Sequence, residues 1–563
     1  MRWIVCVLAA CSSGSNSSPL ATPPVHVGSS APIAVRPAGP LPPADRLEAG
    51  HPIDKTIKGG EVHRYRVELP AGGVFTGVVM QDGIDVSVVT FDPAGTKIAE
   101  YDSPNGMKGP EPIVIEATAA GAYDFEVRPF VEPGANAGAA QPTGRYTAQL
   151  DEIITGLVYA ERKAAKRIAS PRILAVWNAA RARHTAEVAS FWTDLKGKAP
   201  IVEPYPGHAD EVLVSFVTRA TTPYVAMIGG TDFREKPMVR IPDTELWYLT
   251  VRMPADSRFD YAFIAADGPA DYLSPFQPRG NDPRFAKKAT DPNNPRTHFD
   301  MSRAELPAAP PQPWIVAKPE VPKGKLEERK LESAVLKESR RIGIYTPAGY
   351  DPKQTYPLLI VFDGEVYGLE PGALMPTPTI LDNLIAAKKI PAMVAVLVAS
   401  QGVRDRDLPG SLPFSQFVAT ELVPKLRADF HAGLTPAQTI ITGSSFGGLC
   451  STFTAFHHSD VIGNVLSQSG SYQWRPGTFD TDLPLSDEPG VLVREIAKSP
   501  KLPIRFYLDA GRFEQDLLAL NRQMRDVLVA KGYPVTYAEY SGGHDYELWR
   551  GTIADGVIAL TAK

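Results

Sequence analysis

The chain has 563 residues, too many for one domain of about 150 residues, so several domains are expected. Its hydrophobic share of 44% provides enough apolar residues for folded cores. The formal net charge of -5 excludes the strongly basic surface that characterises nucleic-acid-binding domains, and we predict no nucleic-acid partner.

The first eleven residues, MRWIVCVLAAC, contain one Arg, a short apolar run and small residues before Cys11. This pattern is typical of a secretory signal, and it resembles a bacterial lipobox in which Cys11 is acylated. Residues 12–44 are rich in Ser and Pro with almost no charge, which predicts a disordered tether. No apolar run approaches the roughly 18 residues of a membrane span, so the predicted membrane contact is the lipid alone. We therefore expect a lipid-anchored protein of the bacterial cell envelope, facing the periplasm or the cell surface.

Four segments are predicted between the tether and residue 328. Residues 45–150 alternate apolar and polar side chains between turn signals, as in HRYRVELP, and predict a small antiparallel β-sandwich that resembles the pre-peptidase C-terminal modules of secreted proteins. Residues 151–198 have helical composition and predict a short helical linker. Residues 199–305 contain strand-like runs such as ELWYLTVRMP and predict an immunoglobulin-like sandwich, followed by a Pro-rich linker over 306–328.

The pattern changes over residues 329–563, where strands alternate with helices. LLIVF and MVAVLV are continuous apolar runs, typical of parallel strands that are covered on both faces. The alternation predicts a mainly parallel sheet with helices on both faces.

The stretch TIITGSSFGGLCS lies in this segment and contains Gly443-Ser444-Ser445-Phe446-Gly447. A Gly/Ser-rich loop is the alternative, but a strand before the motif and a helix after it favour a G-x-S-x-G nucleophile elbow. This motif resembles that of the α/β-hydrolases, and it implies an α/β-hydrolase fold for residues 329–563. Ser445 is then the predicted nucleophile. Its neighbour Phe446 supplies one backbone N–H of the oxyanion hole, and the loop after LLIVFDGE, at Gly364 or Glu365, supplies the other.

A serine hydroxyl needs a base to accept its proton and an acid to orient that base. His544, in YSGGHDYELWRG, occupies the last strand-to-helix loop, where this fold places the base. Glu514 follows the strand YLDAG and is the predicted acid, with Asp509 and Asp516 as alternatives. The three cysteines, Cys6, Cys11 and Cys450, have no metal-site spacing, and no metal or cofactor is predicted.

Taken with the strings LLIVFDGEVYG, RDRDLPGSLPF, LSQSGSYQW and GGHDYELWRG, these motifs resemble the enterochelin esterase family from about residue 200 to the end. The resemblance implies hydrolysis of the trilactone of ferric catecholate siderophores, with iron entering only as part of the substrate. It also implies that cationic side chains meet the trianionic substrate and that aromatic rings stack on its catechols. The candidates are Arg404, Arg406, Arg550, Tyr472, Trp474 and Trp549. The arginines could instead form exposed ion pairs, and the aromatic residues could fill the core.

Two other functions remain open at this level. A feruloyl- or acetyl-ester hydrolase of polysaccharide uses the same fold and elbow, because fold alone does not determine the substrate. A lipoprotein that binds siderophores or glycans without catalysis is the second alternative. The oligomeric state is not predictable from these patterns.

The lipidation hypothesis has a direct test. If Cys11 is acylated, Cys11→Ala should move the protein from the detergent phase to the aqueous phase, or leave its signal uncleaved, because the acyl chain is the only predicted anchor. Detergent phase partitioning measures this, and an unchanged distribution would contradict the lipoprotein hypothesis.

Overall fold

The computed structural model describes residues 42–562, except residues 104, 131–142, 166, 230–231, 243, 270–287, 299–300 and 477–488. The described residues divide into two compact units after Ile168. Cys11 and nearly all of the predicted tether lie outside the described residues, so the lipidation hypothesis remains a prediction.

The first unit is a sandwich of two sheets. One sheet has the order β1-β3-β8-β5-β6 and the other β2-β9-β4-β7. The strands are β1 (Ala44–Arg46), β2 (Ile53–Lys58), β3 (His63–Leu69), β4 (Gly73–Asp82), β5 (Val86–Phe91), β6 (Lys97–Tyr101), β7 (Lys108–Glu116), β8 (Gly121–Pro129) and β9 (Thr143–Thr155). Alternate residues of both sheets point inward, and Tyr65 stacks on Phe125 with ring centroids 4.9 Å apart. The period-two pattern of the sequence thus reflects a shared core between two half-buried sheets.

The predicted helical linker over 151–198 differs from the structure. Strand β9 continues to Thr155, and helix α1 (Gly156–Ala165) starts beside the first sandwich, where the Gly156 amide donates to the Gly72 carbonyl at 2.7 Å. Helices α2 (Pro171–Arg181) and α3 (Thr185–Leu195) belong to the second unit. Ser170 caps α2 by accepting from the Ile173 amide, and Pro171 occupies its first position, where no backbone donor is needed.

The second unit begins with those two helices and a second sandwich. Its sheets have the orders β10-β11-β15-β14 and β13-β12-β16-β18-β17. The strands are β10 (Ile201–Tyr205), β11 (His208–Arg219), β12 (Tyr224–Gly229), β13 (Asp232–Pro237), β14 (Val239–Arg240), β15 (Leu246–Pro254), β16 (Arg258–Ala266), β17 (Thr297–His298) and β18 (Met301–Glu305). Phe216 and Tyr261 meet edge to face across its core, with centroids 4.7 Å apart.

The C-terminal part is an eight-stranded sheet of order β19-β20-β22-β21-β23-β24-β25-β26. Its strands are β19 (Lys325–Ser333), β20 (Glu338–Thr346), β21 (Leu358–Val361), β22 (Val394–Val398), β23 (Thr439–Ser444), β24 (Asn464–Gln468), β25 (Arg505–Gly511) and β26 (Val535–Tyr540). Pairing is antiparallel between β19, β20 and β22 and parallel through the rest of the sheet. The predicted, mainly parallel sheet is confirmed.

Helices cover both faces of this sheet. They are α4 (Thr377–Ala386), α5 (Arg404–Asp407), α6 (Leu412–Phe417), α7 (Val423–Phe430), α8 (Phe446–His457), α9 (Val491–Lys498), α10 (Asp516–Ala530) and α11 (Tyr546–Thr561), with π-helical turns at Glu365–Leu369 and Val418–Leu422. Along β21, Leu358 and Ile360 enter one core, whereas Leu359 and Val361 enter the other. This explains why the strand reads as a continuous apolar run.

The predicted Pro-rich linker over 306–328 is packed against its neighbours. The Leu306 amide donates to the Ser257 carbonyl of the second sandwich at 3.0 Å. Further along, the Asn383 side chain on α4 donates to the carbonyls of Trp314 and Val316 at 2.7 and 2.9 Å. Strand β19 begins at Lys325, inside the predicted linker. The segment therefore fastens the second sandwich to the hydrolase sheet.

Candidate active site

The turn between β23 and α8 has the geometry of a nucleophile elbow. Ser445 has φ 58° and ψ -120°, a backbone conformation that side chains with a Cβ rarely adopt. A Cβ on Gly443 would lie 2.8 Å from the Gly447 Cα, so only glycine allows the strand and helix to pass this closely. Ser444 is buried, whereas Ser445 is partly exposed. Of the two adjacent serines, Ser445 is therefore the accessible one.

His544 lies in the loop after β26, beside Glu514 from the loop after β25. His544 Nδ1 is 3.2 Å from Glu514 Oε2. The other carboxylate oxygen of Glu514 accepts from the Gly511 amide at 2.8 Å and from Ser469 Oγ at 2.5 Å, which fixes its orientation. A proton on Nδ1 can be donated to this carboxylate, which leaves Nε2 as the acceptor. Nε2 is buried and has no hydrogen-bond partner among the described residues.

The two alternative acids are placed differently. Asp509 is fully buried at the end of β25, and burial raises its pKa to about 8. It is therefore largely protonated at neutral pH and lacks the negative charge with which an acid stabilises an imidazolium. Asp516 is the first residue of α10. The carboxylate that contacts His544 is Glu514, the residue preferred from the sequence.

The candidate oxyanion donors are only partly as predicted. The Gly364 amide already donates to the Val398 carbonyl at 2.9 Å, so the prediction for Gly364 is wrong: this N–H is used within the fold. Glu365 is the first residue of a π-helical turn. The carbonyls of that turn therefore accept no hydrogen bond from the Glu365 amide. Phe446 is the first residue of the 12-residue helix α8, whose N-terminal amides and dipole favour negative charge. Phe446 and Glu365 are the two other predicted donors, and both stay predictions.

Arg404 supports this loop. Its Nε lies 2.9 and 3.1 Å from the carboxylate oxygens of Asp363, a buried residue with φ 53° directly before Gly364. The Arg404 guanidinium also lies over the Phe446 ring, 5.4 Å from its centroid. Its side chain is 21% exposed. Arg404 therefore lies at the site, as predicted, but its charge is already paired with Asp363.

The other two predicted cationic contacts belong to ion pairs. Arg406 is half-exposed and lies 2.7 Å from both Glu338 and Asp407. Arg550 is buried, with its guanidinium 2.9 and 2.5 Å from Glu547 and its Nε 2.8 Å from the Gln312 side chain. Because both partners are buried and bind each other, the pair is a structural contact. Removing one partner of such a buried pair typically lowers the free energy of unfolding by about 3–5 kcal/mol. The prediction that Arg550 meets substrate is wrong.

The predicted aromatic contacts are also mostly internal. Tyr472 is buried, and its hydroxyl bonds with Thr452 and Ser467 at 2.9 and 2.8 Å. Trp549 is buried too, where it donates to Ser469 Oγ at 2.9 Å and meets the His544 ring edge to face at 4.7 Å. Neither ring is free to stack on a ligand, so both predictions are corrected. Trp474 is partly exposed and remains a candidate.

The second sandwich reaches the histidine loop through contacts that the sequence patterns did not reveal. The Arg258 amide on β16 donates to the Ser541 carbonyl at 3.0 Å. Arg303 on β18 lies 2.5 Å from Glu547, the same carboxylate that binds Arg550. Phe513, next to Glu514, packs against the core of this sandwich. Such pairs are hundreds of residues apart, and no local pattern predicts them.

Three further site residues were missed. Ser469, with φ 47°, links Glu514 and Trp549, and Ser471 Oγ lies 3.2 Å from Ser445 Oγ. Asp363 holds Arg404. For the two serines the signal in the sequence is the concentration of serines in LSQSGSYQW, whereas no local pattern indicates that Asp363 pairs with Arg404.

Within the described ranges, no group of three or more His, Cys, Asp or Glu side chains has the arrangement of a metal site. The helices of this part of the chain include none that is long and apolar enough to span a bilayer.

Comparison with known proteins agrees with the hydrolase fold. The family profile for the Esterase domain matches residues 333–560, and the profile described as "Enterochelin esterase, N-terminal" matches residues 216–315. Iron(III) enterobactin esterase of Dickeya dadantii is 32% identical over 360 residues, which cover 59% of this chain and 81% of that protein. Iron(III) salmochelin esterase of Escherichia coli is 27% identical over 410 residues and is covered to 97%. The crystal structure of the Shigella flexneri enterobactin esterase, obtained in the presence of enterobactin, matches with a TM-score of 0.53 and 27% identity, covering 66% of this chain and 97% of that one.

An elbow serine and a histidine paired with a carboxylate, on a mainly parallel sheet, define a carboxylic ester hydrolase of the α/β-hydrolase class. The matches to both profiles and to the Dickeya dadantii protein are more specific. The chain belongs to the enterobactin (enterochelin) esterase family.

The two neighbouring arginines of α5 provide a matched pair of variants. Arg404→Met leaves the buried Asp363 carboxylate unpaired beside the oxyanion loop, so we expect kcat on neutral p-nitrophenyl butyrate to fall by roughly 10- to 100-fold. Arg406→Met removes a half-exposed guanidinium whose partners Glu338 and Asp407 both keep an ion pair with Arg340, so it should change kcat less than about twofold. If Arg404→Met spares the neutral ester and weakens only an anionic one, Arg404 is a binding cation and not a support for the loop.

Proposed function

We propose that this protein is a serine esterase that hydrolyses the ester bonds of catecholate siderophores, with the ferric tris-catecholate trilactone as substrate. The observation that carries the proposal is the contact between His544 Nδ1 and Glu514, in a member of the enterobactin esterase family that also has the backbone geometry of a nucleophile elbow at Ser445. Relatives named for iron(III) enterobactin and iron(III) salmochelin supply the substrate class.

The mechanism follows from the chemistry of these groups. Ser445 Oγ attacks the ester carbonyl while its proton passes to His544 Nε2, and the carbonyl electron pair moves to the oxygen. The amides of Phe446 and Glu365 stabilise that oxyanion. His544 then protonates the departing serine oxygen of the siderophore, and the acyl group stays on Ser445. Water, deprotonated by His544, releases it in the second half.

Glu514 orients the imidazole and stabilises its positive charge. Its carboxylate is held by the Gly511 amide and by Ser469 Oγ, so little reorganisation is needed when His544 becomes protonated. This arrangement speaks against a purely binding role, because a receptor needs no aligned acid and base.

The N-terminal region adds the cellular setting to the proposal. Acylation at Cys11 would hold the esterase at the bacterial envelope, with residues 12–44 as a tether. The first sandwich, resembling a pre-peptidase C-terminal module, would serve as a spacer or weak binding module. No metal or cofactor is proposed, and iron is part of the substrate.

The proposal is tested by product analysis. Purified protein incubated with ferric enterobactin should yield linear dihydroxybenzoyl-serine esters detectable by mass spectrometry, and it should leave a feruloyl sugar largely intact. Faster cleavage of the feruloyl sugar would instead favour the polysaccharide esterase.

Four variants, assayed with the same substrate, test the proposed catalytic residues. Ser445→Ala and His544→Ala should each lose about 10³-fold or more in kcat/KM, because the two residues act as a unit. Glu514→Ala should lose less, since the carboxylate only assists the base. Ser444→Ala is the matched control, because its hydroxyl is buried, and it should retain most activity. An inactive Ser444→Ala beside a competent Ser445→Ala would overturn the elbow assignment.

A further inference from the structure

A second hydroxyl lies against the candidate nucleophile. Ser471 Oγ is 3.2 Å from Ser445 Oγ, and the Ser471 amide donates to the Ser445 carbonyl at 3.1 Å. The Ser471 side chain is buried, with 3% of the residue exposed. Two separate hydrogen bonds therefore hold this residue at the elbow, and the mechanism above gives it no role.

The direction of the hydroxyl–hydroxyl bond follows from the histidine. A serine hydroxyl both donates and accepts, so geometry alone leaves the donor open. With its Nδ1 proton directed to Glu514, His544 can only accept at Nε2, and no described residue donates to that atom. The reaction sends the Ser445 proton to Nε2. When the Ser445 proton is directed to Nε2, Ser445 Oγ can only accept a hydrogen bond from Ser471. The Ser471 hydroxyl is then the donor of the hydroxyl–hydroxyl bond.

We infer that Ser471 is a catalytic residue that donates a hydrogen bond to Ser445 Oγ and acts mainly when the acyl-enzyme breaks down. The inference rests on the proposed roles of Ser445 and His544. It concerns a step common to all esters, so it does not depend on the siderophore.

The two halves of the reaction place opposite demands on Ser445 Oγ. In acylation the oxygen donates its electron pair to form the C–Oγ bond, and a hydrogen-bond donor gives it no help. In deacylation water has added to the acyl carbonyl and given its proton to His544. The C–Oγ bond then breaks, its electron pair moves to Oγ, and His544 returns the proton to that oxygen. A donor already aimed at Oγ stabilises the negative charge that develops at this moment.

Burial makes this donor hard to replace. Because Ser471 is nearly inaccessible, water cannot readily take its place when the hydroxyl is removed. Losing a hydrogen bond to a group that carries charge typically slows a step by about 10- to 100-fold. The expected signature of Ser471→Ala is thus a selective slowing of deacylation.

Stopped-flow kinetics with p-nitrophenyl butyrate separate the two halves. In Ser471→Ala, the burst of nitrophenolate that reports acylation should keep its rate within about threefold, whereas the steady phase should slow by about 10- to 100-fold. Intact-protein mass spectrometry after acid quenching should show the butyryl-enzyme accumulating. Ser471→Cys keeps a weak donor and should give an intermediate steady rate. The same test can be made with this variant if Ser471→Ala does not fold.

The matched control is Ser451→Ala, which removes another buried hydroxyl near the elbow, one that donates to the Gly447 carbonyl at 2.7 Å. It should leave the ratio of the two phases unchanged. Equal slowing of both phases in Ser471→Ala, or no slowing of the steady phase, would overturn the inference. A burst that persists in Ser445→Ala would contradict the proposed nucleophile itself, so the two failures are distinguishable.

Discussion

The backbone turn at Ser445 is the constraint on which the rest of the site depends. A buried strand must end and a helix must begin within one residue. This sharp turn holds Ser445 at a φ of 58°, a strained backbone conformation for a residue with a Cβ. Gly443 makes the turn possible because a Cβ at that position would collide with the Gly447 backbone. The Ser445 amide is bound to the Gln468 carbonyl at 2.9 Å, so the neighbouring strand holds the turn in place. The serine hydroxyl is thereby presented at the carboxyl edge of the sheet, where ligand sites of open α/β sheets lie.

The second constraint is that the acid and base lie on separate loops that must stay aligned. Glu514 and His544 follow adjacent strands, and the second sandwich packs against both loops through Phe513 and through the Arg258 amide. The buried Glu547 carboxylate joins Arg303 of that sandwich to Arg550 of the hydrolase. An ion pair of this kind adds little net stability, but it penalises any displacement that separates its partners. The sandwich therefore acts as a support for the catalytic loops as well as a neighbour in sequence.

Much of the hydrolase domain was predictable because its signals are local. The strand before Ser445, the helix after it and the carboxylate three residues beyond Gly511 are each set by a few adjacent residues. The errors at the site mostly concern groups whose environment is built by distant segments. Arg550 was expected to face substrate, but its partner Gln312 comes from the packed Pro-rich segment. Gly364 was expected to donate to an oxyanion, but its amide pairs with Val398 on a neighbouring strand. Residue type indicates what a group can do, whereas tertiary contacts decide whether it is available.

The central claim is that Ser445 is the nucleophile, and active-site labelling tests it most directly. The protein would be treated with diisopropyl fluorophosphate, which phosphorylates an activated serine, and the modified residue would be located by peptide mapping with tandem mass spectrometry. The account predicts one diisopropylphosphoryl group on Ser445 and none when His544 is replaced by Ala, because the hydroxyl is activated by that base. A label on Ser444 or Ser471, or labelling of Ser445 that persists without His544, would contradict it.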